Sequence, residues 1–202
     1  MLQRVLIPLL ENEKIVQVVA NWNYSSVLTD KGALFIIPKP DLIIPSQAQV
    51  EPPPTQIVTP RITSKELLNN EDTFVQITGL DGYTLVLTES SQVVNIMTSE
   101  PLFFQDPQRH VHHLKAFSAI KEEKNTRDMM KRFITGNFDN FAVYTTEGQV
   151  LLGKLSNTTE ALILPDLQHK NICKVSFGDY HCGALTNDGQ LYTWGNFSSG
   201  AL

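Results

Sequence analysis

The stretch Ile172-Cys-Lys-Val-Ser-Phe-Gly-Asp-Tyr-His-Cys-Gly-Ala-Leu-Thr-Asn-Asp-Gly-Gln-Leu-Tyr-Thr-Trp-Gly195 decides how the whole chain is read. Val175 and Phe177 alternate with polar residues, the period of a half-buried strand. A polar, glycine-containing corner leads into a second strand through Ala184 and Leu185. Asn187-Asp188-Gly189 then predicts a tight turn in which glycine supplies a positive φ. Leu191–Trp194 is aromatic and β-rich, as a third strand should be.

The same layout recurs. Ile15-Val-Gln-Val-Val-Ala-Asn-Trp-Asn-Tyr-Ser-Ser-Val-Leu-Thr-Asp-Lys-Gly-Ala-Leu-Phe35 aligns without gaps, matching Ile15, Val18, Leu28, Thr29, Gly32 and Leu34 to Ile172, Val175, Leu185, Thr186, Gly189 and Leu191. Weaker copies run from Phe74 with Thr88 in the threonine slot, and from Phe133 with Thr145 there and Gly148 three residues on. The threonines stand at 29, 88, 145 and 186, so four copies are read, near 15–36, 74–95, 131–153 and 172–202. Short antiparallel strands repeating every ~40–60 residues predict blades of a β-propeller, with a stacked solenoid as the alternative. Neither buries its faces unless neighbouring copies stack.

Val175-Ser-Phe-Gly-Asp-Tyr-His-Cys-Gly-Ala-Leu-Thr-Asn-Asp-Gly-Gln-Leu-Tyr-Thr-Trp-Gly-Asn196, with Ser199-Gly-Ala-Leu202, resembles the regulator-of-chromosome-condensation repeat. The first three copies match in outline, with Tyr24, Tyr83 and Asn140 in the histidine slot, and the last copy alone keeps the Trp-Gly pair. The resemblance implies an all-β fold, a partial seven-bladed β-propeller of about four repeats. Such an arc leaves open edges, so the chain alone is expected to be poorly stable.

Two stretches interrupt the copies. Residues 38–60 hold seven of the 11 prolines, which excludes a regular ladder and predicts an extended surface loop. Residues 109–132 carry seven Lys/Arg (Arg109, Lys115, Lys121, Lys124, Arg127, Lys131 and Arg132) against Glu122, Glu123 and Asp128. That local charge of +4 sits on a remainder of −9 within the overall −5. Part of Leu114–Phe133 fits a short amphipathic helix on a solvated basic face, an exposed basic partner patch being the alternative. The acidic balance gives no reason to expect nucleic acid as a partner.

The N-terminal apolar run is broken at Pro8 and followed by Glu11 and Glu13, and no window approaches the ~20 apolar residues of a membrane span. The chain is therefore expected to be intracellular, cytoplasmic or nuclear, with the sequons at Asn23, Asn157 and Asn196 unused. Cys173 and Cys182 are expected as reduced, largely buried thiols, a disulfide between them being the alternative. His110, His112 and His113 lack a ligand set, and His181 is expected as a repeat-core residue bonding to backbone. No phosphate-cradling loop, nucleophile elbow or metal-protease helix occurs. The reading therefore holds no catalytic, cofactor or metal residues, leaves the binding residues unassigned, and expects no enzyme and no cofactor.

Function in a propeller lives in its loops. Phe177–Thr186 with Asn196–Leu202 is similar to fungal F-box proteins of the SCF-associated-factor type. That resemblance implies a protein-interaction propeller, the substrate-recognition part of an SCF-type ubiquitin ligase F-box protein. Its partners would be a substrate protein and, through an F-box, the ligase scaffold. The 14 residues before Ile15 are too few for that helical domain, so the F-box is expected to lie outside this sequence. The alternative is guanine nucleotide exchange on a Ran-like small GTPase, the activity of the family's founding member.

Overall fold

The computed structural model describes residues 6–21, 24–38, 61–98, 106–118, 133–145 and 148–195. These residues form four antiparallel sheets in chain order. Sheet 1 holds β1 (Ile15–Ala20), β2 (Tyr24–Thr29) and β3 (Leu34–Pro38). Sheet 2 holds β4 (Phe74–Leu80), β5 (Tyr83–Thr88), β6 (Val93–Met97) and β7 (Val111–His113). Sheet 3 holds β8 (Phe133–Asn137), β9 (Asn140–Tyr144), β10 (Val150–Lys154) and β11 (Asn157–Ile163). Sheet 4 holds β12 (Ile172–Phe177), β13 (His181–Thr186) and β14 (Leu191–Gly195).

One device closes the second hairpin of every sheet. The backbone N–H groups of Gly32, Ser91, Gly148 and Gly189 donate to the carbonyls of Thr29, Thr88, Thr145 and Thr186. In each case the threonine hydroxyl accepts from the N–H four residues on: Ala33 at 3.1 Å, Gln92 at 3.0 Å, Gln149 at 3.1 Å and Gln190 at 2.8 Å. All four threonines are buried, so the hydroxyl satisfies a backbone donor that water does not reach. Gly32, Gly148 and Gly189 have φ of 70°, 78° and 87°, and Ser91 adopts φ 64° in the same slot of sheet 2. The repeated Thr-x-x-Gly is therefore a turn requirement.

The sheets pack face to face in series. Leu28, Leu34 and Ile36 of sheet 1 meet Ile77, Val86 and Val94 of sheet 2. Leu85, Leu87 and Val93 of sheet 2 meet Ile134, Phe141 and Val143 of sheet 3, and Ala142 and Val150 of sheet 3 meet Ile172, Val175 and Ala184 of sheet 4. Sheets 2 and 3 thus each pack the preceding sheet on one face and the following sheet on the other. The chain before a sheet's first strand lends apolar residues to these seams: Leu67 from α1 (Ser64–Leu68), Leu114 and Phe117, then Leu164 and Leu167. Thr63 and Glu66 close a capping box at the start of α1.

Two expectations change. Residues 109–118 are no insertion: Val111–His113 pair with β6 as the outer strand of sheet 2. Leu114 and Phe117 fill the seam to sheet 3, Phe117 from a 3-10 turn at Lys115–Phe117, and most of the stretch expected to hold a short amphipathic helix lies outside the described residues. Pro38, assigned to the proline-rich loop, is the last residue of β3 and pairs with Tyr24, a strand end where its missing N–H is tolerated. The rest of both stretches, residues 39–60 and 119–132, lies outside the described residues. Where the first resumes, Ile62 pairs with Leu34 through hydrogen bonds of 2.8 and 2.9 Å, beside β3.

Candidate interaction surfaces

The seams are set by residues twelve positions before each turn threonine: Gln17, Gln76, Phe133 and Lys174. In sheets 1, 2 and 4 the register shifts just before this position, a bulge that re-aims the side chain. Gln17 Nε2 donates to the Ile77 carbonyl at 2.6 Å, while its Oε1 accepts from the Ile77 N–H at 2.9 Å. One amide thus satisfies both backbone groups of a residue on the next sheet. Gln76 Oε1 accepts from the Ile134 N–H at 2.8 Å in the following seam. Phe133 instead packs on Tyr144 with ring centroids 5.0 Å apart. Lys174, on the last sheet, is exposed.

A charged clamp secures sheet 1. Arg61 grips Glu13 through both carboxylate oxygens, at 2.6 and 2.7 Å, and the Thr29 hydroxyl donates to Oε1 at 2.6 Å. The Leu10 N–H adds a fourth bond at 2.8 Å. The Arg61 hydrogen bonds, outweighing the opposing effect of burial, hold the Glu13 carboxyl down at about 2. Glu13 precedes β1 and Arg61 stands next to Ile62, so the pair fastens the Arg61–Ile62 segment to the start of sheet 1. Nothing local in the sequence pairs residues 48 apart, so sequence reading missed this clamp.

A cleft of about 540 Å³ opens between sheets 3 and 4, lined by Glu160, Leu162, Phe177, Tyr180, His181 and Trp194 among others. On the sheet 4 side it is lined by the β12–β13 corner and the end of β14. Tyr180 and Leu162 are exposed at its rim. His181 is exposed here, which corrects its reading as a core residue; the Gly178 N–H donates to its backbone carbonyl, and it pairs with Gly195 of β14.

Cys173 and Cys182 are both free, but Cys173 is exposed and Cys182 half-buried, against the expectation that both are largely buried. The Cys173 thiol donates to the Leu185 carbonyl, and burial pushes the Cys182 thiol up, away from a reactive thiolate. His112 and His113 are exposed on β7. Among the described residues no three His, Cys, Asp or Glu side chains are placed to hold a metal ion. Of the basic stretch, Arg109 forms an exposed ion pair with Asp106 at 2.8 Å, and Lys115 is exposed. No helix of the described residues is long and apolar enough to cross a membrane.

These features meet counterparts in known proteins. Residues 172–201 match the Regulator of chromosome condensation (RCC1) repeat family. Over 35 residues, 17% of this chain and 8% of the relative, the sequence is 46% identical to Protein RCC1 of Candida albicans. Prp20p from Saccharomyces cerevisiae, described with its binding to Gsp1p and histones, superimposes with a TM-score of 0.63 at 17% identity, over 93% of this chain and 45% of that one. Human WBSCR16 gives a TM-score of 0.56 at 16% identity, over 91% and 47%. The chain thus spans less than half the length of either structure. Its last sheet is similar to the RCC1 repeat, and its four sheets share the fold of these longer proteins.

Proposed function

We propose that the chain is part of a seven-bladed propeller of the regulator-of-chromosome-condensation type that acts as a protein-interaction module without a catalytic step. In this reading it is the substrate-recognition part of an SCF-type ubiquitin ligase F-box protein, inside the cell. The observation that carries the interaction role is the sheet 3–sheet 4 cleft. Exposed Tyr180 and half-buried Phe177 and Trp194 stand there beside Lys154 and Glu160, the aromatic and charged mixture that anchors protein partners. The ligase assignment rests on the resemblance of Phe177–Thr186 to fungal F-box proteins. A pull-down of the complete gene product tests it: recovery of a Skp-type adaptor is expected, and its consistent absence contradicts the ligase role.

A second reading, nucleotide exchange on a Ran-like small GTPase, is favoured by the likeness to Prp20p and to the Candida protein. Mixing the protein with such a GTPase preloaded with labelled nucleotide decides it. Accelerated release supports exchange, and unchanged release removes it.

A further inference from the structure

The corners that join the first two strands of sheets 2, 3 and 4 lie at one end of the sheets: Asp81-Gly82, Phe138-Asp139 and Gly178-Asp179-Tyr180. Phe138 is 61% exposed and Tyr180 71%. Sheet 3 is packed on both faces, so Phe138 is exposed by the direction of its turn and not for want of a neighbouring sheet. Its φ is 47°, a conformation that glycine adopts freely and a bulky side chain does not. An exposed ring held that way costs the fold and points to a role outside it. Gly195 brings the end of β14 so close to the next corner that a Cβ would meet the Tyr180 carbonyl, which fixes the backbone carrying the second ring.

Each corner also carries one aspartate, and among the described residues none of the three carboxylates takes a hydrogen bond or an ion pair. Backbone bonds hold the corners instead. The Asp81 N–H donates to the Phe138 carbonyl at 2.7 Å, the Leu155 N–H to the Asp139 carbonyl and the Gly178 N–H to the His181 carbonyl, both at 2.8 Å. The opposite end of the sheets uses its aspartates locally: Asp30 accepts from the Lys14 N–H at 2.9 Å, Asp72 from the Ser90 N–H at 3.1 Å, and Asp188 from the Thr186 hydroxyl. Turn chemistry accounts for the acids at that end and leaves those at the corners unused. Between the corners of sheets 3 and 4 opens the cleft, lined by Asn140 next to Phe138-Asp139, by Asp179 and Tyr180, and by Glu160, Phe177 and Trp194. The carboxylates of Asp139, Asp179 and Glu160 stand in or beside it against one ammonium, that of Lys154.

We infer that this cleft and the corners at its mouth take an extended, arginine- or lysine-bearing segment of a protein partner. Its cationic side chains lie over the Phe138 and Tyr180 rings and against the unused carboxylates. Arginine suits both contacts, since its planar guanidinium stacks on a ring while its N–H groups donate to a carboxylate. The inference rests on the interaction reading above and adds the chemistry of the partner: the segment captured is basic.

Fluorescence anisotropy of the 202-residue chain tests it, with short labelled peptides that differ only in carrying arginine, glutamine or glutamate. The arginine peptide is expected to bind at least about tenfold more tightly than the other two, and less tightly as salt is raised. Phe138→Gly should weaken that binding about tenfold while the melting temperature holds or rises, because glycine relaxes the turn. Tyr180→Ser, at an exposed position, should weaken it likewise. Asp139→Asn and Asp179→Asn should each cost roughly two- to fivefold and flatten the salt dependence. Glu89→Gln, an exposed charge change at the opposite end of the sheets, should leave binding as it is. No binding, equal binding of the three peptides, full binding by Phe138→Gly or Tyr180→Ser, or a Glu89→Gln loss as large as that of Asp179→Asn overturns the inference. Each of these results leaves the ligase reading to the Skp-adaptor pull-down, and a missing adaptor in turn leaves the basic segment standing.

Discussion

The seam between sheets 1 and 2 and the seam between sheets 3 and 4 join the same faces by different chemistry. In the first, Gln17 satisfies both backbone groups of Ile77, Ser26 meets Thr84 at 2.7 Å, and Asn21 bonds the Tyr24 hydroxyl at 2.7 Å and the Tyr83 carbonyl at 3.2 Å. In the last, Ala142 stands at the position of Ser26, Phe133 at that of Gln17 and Asn140 at that of Tyr24, and the contact is filled by Phe133, Tyr144, Val175 and Ala184. The repeat fixes where sheets meet and leaves open what they meet with. A polar seam is directional and sets register. An apolar seam depends on volume.

The largest test breaks the clamp of sheet 1, which sheet 4 lacks, since Lys170 stands sixteen residues before Thr186 where Glu13 stands before Thr29. Arg61→Ala leaves a buried carboxylate without its cation and should cost roughly 3–4 kcal/mol in urea unfolding. The acid limb carries the same information. Glu13 is held at about 2 in the folded chain against 4.5 when free, so its contribution is complete above about 4.5 and lost as pH falls through about 2. Glu13→Gln should flatten that limb, and an unchanged acid midpoint would contradict the clamp.

Next is Phe133→Ala, which removes half of the aromatic pair from the last seam and should cost about 3 kcal/mol. Phe133→Gln should cost less, because the amide can reach the backbone of β12 as Gln17 reaches that of β4. Equal losses would show that the seam depends on volume alone. Gln17→Ala leaves the Ile77 N–H and carbonyl unpaired and should cost about 2 kcal/mol, with Gln76→Ala, which breaks one such bond, at about half of that. Thr186→Val removes a single hydroxyl that serves the Gln190 N–H and should cost about 1 kcal/mol, the smallest effect. Thermal melts rank these variants. A Thr186→Val loss exceeding that of Gln17→Ala would reverse the order.

How much of this was legible in the sequence follows from how local each cause is. The Thr-x-x-Gly turns were readable because all their hydrogen bonds close within five residues. The strands before and after them were readable from alternation. β7 was hidden because three residues in a histidine-rich, basic setting carry no period. β11 was hidden because Asn157-Thr-Thr-Glu-Ala-Leu-Ile163 is largely exposed and lacks a buried stripe. Gln17 and Gln76 had a signal, the shared distance from the threonine, but an amide in a strand looks like an ordinary polar residue until the next sheet is in place. His181 was misplaced for the converse reason, since its counterpart Tyr24 is buried in a seam that on sheet 4 has one side, whereas Cys173 shares the position of Val16 and Val75, which are exposed on their own sheets.

Thiol-labelling rates test most directly the claim that the outer face of sheet 4 repeats faces sealed elsewhere. In a Cys173→Ser/Cys182→Ser background, Leu191→Cys and Leu34→Cys place one thiol at equivalent positions on the open and the sealed face. At the lowest workable protein concentration Leu191→Cys should label at close to the rate of an unfolded peptide, and Leu34→Cys should be slower by about a hundredfold or more, as expected for a site opened only by unfolding. Equal rates at the two positions, both fast or both slow, would contradict the account.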